Sequence, residues 1–97
     1  MRPEVILVPS AEGDLAYYAK HQRAIILDAV GQFLESDPDV ETRRRKRLRD
    51  NPLAPWELRI GEFRVFYEIS GGRQVRVLAI GHKDHNDLFI RGERVLL

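Results

Sequence analysis

From Trp56 onward, apolar and polar residues alternate with a period of two. Trp56, Leu58 and Ile60, then Phe63, Val65, Tyr67 and Ile69, then Val75, Val77 and Ala79 all fall on one side. Such alternation marks strands with one buried face, so these positions predict the core side of a three-stranded meander, with Trp56 and Tyr67 as packing residues. A two-residue Gly61-Glu62 loop pairs Ile60 with Phe63 and sets Arg59 directly opposite Arg64. A three-residue Gly71-Gly72-Arg73 loop pairs Ile69 with Val75, Glu68 with Arg76 and Tyr67 with Val77, and puts Arg64 opposite Ile80. A two-residue Gly-Gly loop would instead set Ile69 against Gln74 and turn Arg76 into the core, so it is rejected. The other face then carries Glu57, Arg59, Arg64, Phe66, Glu68, Arg76, Leu78 and Ile80, apolar in the middle and cationic at one end.

The first half of the chain reads differently. Glu4 to Val8 is a short apolar run that predicts a strand, and Pro9-Ser10 starts a helix with Ser10 as its N-cap, followed by Glu12 and Asp14 near the positive end of the dipole. Leu15, Tyr18 and Ala19 form one apolar stripe, and Ile26, Ala29, Val30, Phe33 and Leu34 form another at helical spacing. The polar Lys20-His21-Gln22-Arg23 between them fits one long helix or a hairpin bent near His21, and the interrupted stripe favours the hairpin. Ser36-Asp37-Pro38-Asp39 stops the helix. Glu41 to Pro55 reads as a charged segment leading into an irregular connection. After Gly81, the tail HKDHND-LFI with a Gly92-Glu93 turn is expected to pack over the apolar part of the outer face, as a short helix or an added strand.

Length and charge narrow this further. At 97 residues, with 43% hydrophobic and 32% charged, the chain fits one domain over residues 1–97 with one modest core. Net charge is only +1, yet six of the seven residues from Arg43 to Arg49 are basic, so local sign matters more than the sum. The absence of cysteine excludes disulfides and thiolate chemistry and suits a cytoplasmic protein. No apolar stretch is long enough to span a bilayer, and Met1-Arg2-Pro3-Glu4 does not begin a signal peptide, so no membrane association is expected.

Two facing arginines repel unless something anionic lies between them, and nucleic acid is the commonest cellular polyanion. The expected register brings His82, Lys83 and His85 to the same end of the sheet as Arg59 and Arg64. That set offers guanidinium forks for phosphate, an ammonium, and imidazoles able to move a proton near neutral pH, the groups needed to cleave RNA without a metal. The blander reading is a solvated basic face. Arg43, Arg44, Arg45, Lys46, Arg47 and Arg49 are candidates for RNA or for an acidic partner helix, with a solvated face again the alternative. Arg76 is a further candidate RNA contact. Phe89 is either core or a ring on which a base stacks. His82 and His85 with Asp84 and Asp87 lack a third convincing ligand, so no metal is assigned, and no cofactor is implied. A glycine-rich phosphate loop, a nucleophile elbow and a paired-carboxylate pattern are all missing, which argues against ATP-driven and serine or cysteine hydrolase chemistry.

These residues together resemble a known family. The strand ending in Pro-Ser-Ala-Glu, the helical hairpin, Lys46-Arg47-Leu48, WELRIGEFRVFYEI, the Val-Arg-Val-Leu strand and Ile80-Gly81-His82-Lys83 resemble the RelE/ParE superfamily of type II toxin–antitoxin toxins. The resemblance implies an α+β fold in which two N-terminal helices pack on a mostly antiparallel twisted sheet. It implies a cognate antitoxin that covers a basic face, and contact with DNA only indirectly, through that antitoxin. In the RelE branch this face enters the ribosomal A site and cuts mRNA. Arg64 then matches the arginine at the scissile phosphate, Lys83 another essential cation, and Arg59 a catalytic lysine. Glu57 and Phe89 depart from that branch's lysine and tyrosine, and His82 or His85 would supply the missing acid. The expectation is an endoribonuclease acting on mRNA. The alternatives are a ParE-like, non-catalytic inhibitor of DNA gyrase and a degenerate toxin that only binds its antitoxin as co-repressor.

Overall fold

The computed structural model describes residues 2–71 and 73–97. In chain order its elements are β1 (Glu4–Leu7), α1 (Pro9–Ala16), α2 (Lys20–Leu34), β2 (Arg45–Arg47), β3 (Trp56–Ile60), β4 (Phe63–Ser70), β5 (Gln74–Asp84), β6 (Asp87–Ile90) and β7 (Glu93–Val95). Among the described residues the strands form one sheet in the order β2-β3-β4-β5-β6-β7, all antiparallel, with β1 added parallel to the first half of β5. Two helices on a mostly antiparallel sheet is the α+β arrangement expected.

The predicted meander is β3, β4 and β5. Ile60 pairs with Phe63 and Arg59 with Arg64, while Ile69 pairs with Val75, Glu68 with Arg76 and Tyr67 with Val77. Gly72, in the predicted three-residue loop, lies outside the described residues. Tyr18 and residues from α1 and α2, including Ala11, Ile26, Ala29, Val30 and Leu34, bury against Trp56, Leu58, Val65, Tyr67, Val75 and Val77. Each large side chain so buried contributes roughly 1.5–3 kcal/mol relative to exposure. The Tyr67 hydroxyl is satisfied inside this core by donating to the Pro38 carbonyl at 2.7 Å.

One break in alternation decides the geometry downstream. Tyr67 pairs with Val77 but Phe66 pairs with Ala79, so Leu78 is the extra residue of a β-bulge. Past the bulge every residue of β5 changes face. Ile80, expected on the outer face opposite Arg64, is buried in the main core and pairs with Val65. Ala79, expected in that core, joins Phe66 on the outer face, and Arg64 faces Gly81. Periodicity cannot reveal a bulge that has apolar residues on both sides of it.

Other expectations shift locally. Val8, not Ser10, is the N-cap of α1, because Pro9 takes the first helical turn, where its missing N–H costs nothing. The helices do form a hairpin, broken over residues 17–19, where Gln22 accepts the Ala19 N–H at 3.0 Å, slightly before the expected bend at His21. The charged segment expected to lead into an irregular connection contains β2, which adds a fourth strand to the meander. The tail forms strands. Leu88, Ile90 and Val95 pack with Phe66, Ala79 and Leu78 as a small second core on the outer face. Its last turn is Arg91-Gly92, both at positive φ, one residue earlier than expected.

A tether joins this tail to α1. Asp14, 5% exposed, accepts the Ile80 N–H at 3.0 Å through one oxygen and Arg91 Nε at 2.7 Å through the other, while Arg91 Nη2 also donates to the Ser10 carbonyl at 2.8 Å. Gly13 makes room for it, since a Cβ there would lie 2.1 Å from the Arg91 guanidinium.

Candidate functional site

The outer face of the sheet, opposite the helices, carries the candidate cations. Glu57 and Arg59 alternate with the core residues of β3, and Arg64 and Phe66 with those of β4. On β2, Lys46 pairs with Glu57 and so shares this face. Beyond the bulge Lys83 falls on the same face as Gly81, and its partner Leu88 belongs to the outer cluster. Arg59, Arg64 and Lys83 therefore do share a face, as expected. Gly81 keeps this corner low: a Cβ would lie 2.4 Å from the Phe89 carbonyl oxygen and 2.9 Å from Ile90.

The repulsion between the facing arginines is relieved within the chain. Glu57, 3% exposed, accepts Arg59 Nε at 2.7 Å. Arg64 folds back over the hairpin tip, its Nη1 donating to the carbonyls of Gly61 at 2.7 Å and Phe63 at 2.9 Å. Its Nε is buried without a partner among the described residues. Burial is the main cause that pushes the Arg64 pKa down. Glu57 opposes this and Arg59 adds to it. The group stays cationic, since a guanidinium does not lose its proton in a protein. An external anion is thus not needed to hold the pair.

The histidines do not join this set. His82 pairs with Phe63 and faces the helices, where its Nδ1 lies 2.8 Å from the Tyr18 hydroxyl and its ring stacks on Phe89 at 5.7 Å between centroids. Burial, and then the charges around it, push the Tyr18 hydroxyl up to about 12, so it stays protonated as a hydrogen-bond donor. The expected grouping of His82 with Arg64 fails because the bulge moves Ile80 to the core side and His82 follows it. Phe89 goes to that side as well, so it stacks on a histidine there and offers no ring to the cationic face. His85, 95% exposed, sits with Asn86 at positive φ in the two-residue turn between β5 and β6, its Nδ1 2.7 Å from Asp84.

The basic run is also divided. Arg45 and Arg47 pair with the core residues Leu58 and Trp56 and lie on the helix side. Arg45 donates to the carbonyls of Val40 at 2.9 Å and Phe33 at 3.1 Å, and the Arg47 guanidinium lies over the Trp56 ring at 5.6 Å. Both are braces in the fold. Arg76 is engaged with Glu68 at 2.9 Å. Arg43, Arg44 and Arg49 are exposed, and Arg44 lies over the Phe33 ring at 5.0 Å. Reading the sequence missed the Asp14–Arg91 tether: Asp14, expected near the positive end of the α1 dipole, lies instead in the last turn of that eight-residue helix, where the dipole disfavours an acid.

No described helix is long and apolar enough to cross a membrane. No functionally curated protein matches the sequence. In structure, the chain is similar to one in the crystal structure of the toxin–antitoxin complex RelBE2 from Mycobacterium tuberculosis, with TM-score 0.72 and 23% identity, over 86% of this chain and 100% of that one. At that identity the likeness is one of fold. The family described as "ParE toxin of type II toxin-antitoxin system, parDE" matches residues 5–86, most of the chain. Sheet topology and sequence pattern agree, and the chain belongs to the ParE toxin family of the RelE/ParE superfamily.

Proposed function

We propose that this chain is the toxin partner of a cognate antitoxin and that it arrests growth by binding its target without cleaving RNA, in the manner of ParE toxins that inhibit DNA gyrase. The observation that carries this reading is the separation of the proton-transfer groups from the phosphate-binding ones. His82 is on the helix side beside Tyr18, His85 is on an exposed turn, and Phe89 stacks on His82. On the cationic face Glu57 is buried and tied to Arg59, and Glu68 is tied to Arg76. Metal-free RNA cleavage needs a base within hydrogen-bond reach of the 2'-hydroxyl and an acid at the leaving oxygen, and among the described residues the histidines do not supply such a pair on that face. The match to the ParE family supports the gyrase target.

A second reading is ribosome-dependent mRNA cleavage. It is favoured by Lys83 and Arg64 sharing one face, where the ammonium would be the acid and the guanidinium would hold the phosphate. Controlled expression without antitoxin separates the two. The first reading expects growth arrest with an induced DNA-damage response, intact transcripts, and arrest retained in the His82→Asn, His85→Ala double variant. New transcript ends that vanish with Lys83→Ala would overturn it in favour of the second.

A further inference from the structure

We infer that the pocket lined by Arg43, Arg44 and Arg59 is a binding site for one backbone phosphate of a nucleic acid. It lies where β2 meets β3. Among the described residues, the cavity, about 240 Å³, is lined by these three arginines. At about 30 Å³ per water it holds roughly eight waters' worth of volume, room for one hydrated phosphate, and it falls below the roughly 300 Å³ at which pockets for whole small molecules begin.

Two features pre-position the cations. Thr42 closes the turn that carries Arg43 and Arg44. Its N–H donates to the Arg45 carbonyl at 2.9 Å and its hydroxyl accepts the N–H groups of Arg44 at 3.2 Å and Arg45 at 3.1 Å. The Arg59 N–H donates to the Arg44 carbonyl at 2.8 Å, which extends the β2–β3 ladder and fixes the third arginine beside the first two. The side chains are held too, Arg44 by the Phe33 ring and Arg59 by Glu57 through Nε, which leaves the two terminal nitrogens of Arg59 for a ligand. Among the described residues Arg43 and Arg44 form no ion pair with a carboxylate.

The three arginines bring three positive charges to one small cavity, and Glu57 on Arg59 is the one carboxylate paired with them among the described residues. Their forks match the paired oxygens of a phosphate, and three of them exceed what a single carboxylate takes up. The site is distinct from Arg64, whose guanidinium is largely used by the hairpin tip. It goes beyond the proposed target, because a phosphate contact serves a toxin on a DNA-bound enzyme as well as one on RNA.

The test is binding of a short labelled single-stranded oligonucleotide to the full chain, followed by fluorescence anisotropy across a salt series, with inorganic phosphate and a polyglutamate peptide as competitors. Arg43→Gln and Arg44→Gln should each weaken binding about five- to tenfold and reduce the salt slope by about 0.7. Arg94→Gln, on β7 at the opposite edge of the sheet, removes the same charge and should do neither. Arg59→Lys should keep the slope and lose affinity, since charge is retained and the fork is not. Circular dichroism confirms that each variant is folded. Equal effects of Arg94→Gln and the pocket variants would overturn the inference. So would displacement by polyglutamate at lower concentration than by phosphate, which would assign the pocket to an acidic protein segment.

Discussion

Replacing Asp14 by alanine should destabilise this protein more than any exposed substitution, and the structure gives the size. The carboxylate is buried and holds the Ile80 N–H at the point where β1 has left the edge of β5 and no strand supplies an acceptor. Losing it strands a buried donor, which costs roughly 1–3 kcal/mol. The pair with Arg91 adds less than about 1 kcal/mol, because the Arg91 side chain is 49% exposed and screened by water. Alanine returns about 0.5 kcal/mol as the better helix former. The net loss is centred on about 2 kcal/mol, within a span of about 0.5–3.5, which at the centre is roughly 8–16 °C in melting temperature for a domain of this length. Asp14→Asn keeps an acceptor for the Ile80 N–H and should lose about 1 kcal/mol or less. Thermal unfolding by circular dichroism reads both, and amide exchange should show the Ile80 N–H and the β6–β7 hairpin losing protection first in the alanine variant. If Asp14→Ala melts within about 4 °C of the parent protein, the tether is not an anchor and the reasoning fails.

Gly81→Ala places a Cβ against the Phe89 carbonyl, so β6 must shift, at a cost of about 1–3 kcal/mol in urea unfolding; an unchanged midpoint would mean that the tail is free to move. Alkaline stability follows from the tyrosines. The folded Tyr18 hydroxyl is raised to about 12 and Tyr67 is raised further, both mainly by burial, so the native state holds protons that the unfolded chain releases from about pH 10. Stability should therefore be fully present below about pH 10 and fall as pH rises from there toward 12. Absorbance titration should show Tyr18 and Tyr67 ionising only with unfolding. Both groups titrating reversibly near pH 10 in a chain that stays folded would contradict it.

Much of this protein was legible before its structure. Period-two alternation, two turn signals and matched cross-strand pairs determine the register of β3, β4 and the first half of β5, because a one-residue slip would turn every side chain to the wrong face. The interrupted apolar stripe favoured a helical hairpin over one long helix, and the motif pattern pointed to the family. The site was legible only in part. Arg59, Arg64 and Lys83 share a face, but their expected grouping with His82 was undone by Leu78, one extra residue that moved Ile80 into the core and His82 toward the helices. A bulge depends on how two strands pack, and alternation within one strand does not encode it. Tertiary structure also decided what the charges do. Lys46, Arg45 and Arg47 form an edge strand because Glu57, Leu58 and Trp56 lie beside them, and Asp14 and Arg91 meet across 77 positions of sequence. Residue order alone identified the cations and put Arg59, Arg64 and Arg76 on strands, but not the strand that carries Arg45 to Arg47. Their partners, and so which of them remain open to a ligand, were decided by burial and by contacts distant along the chain.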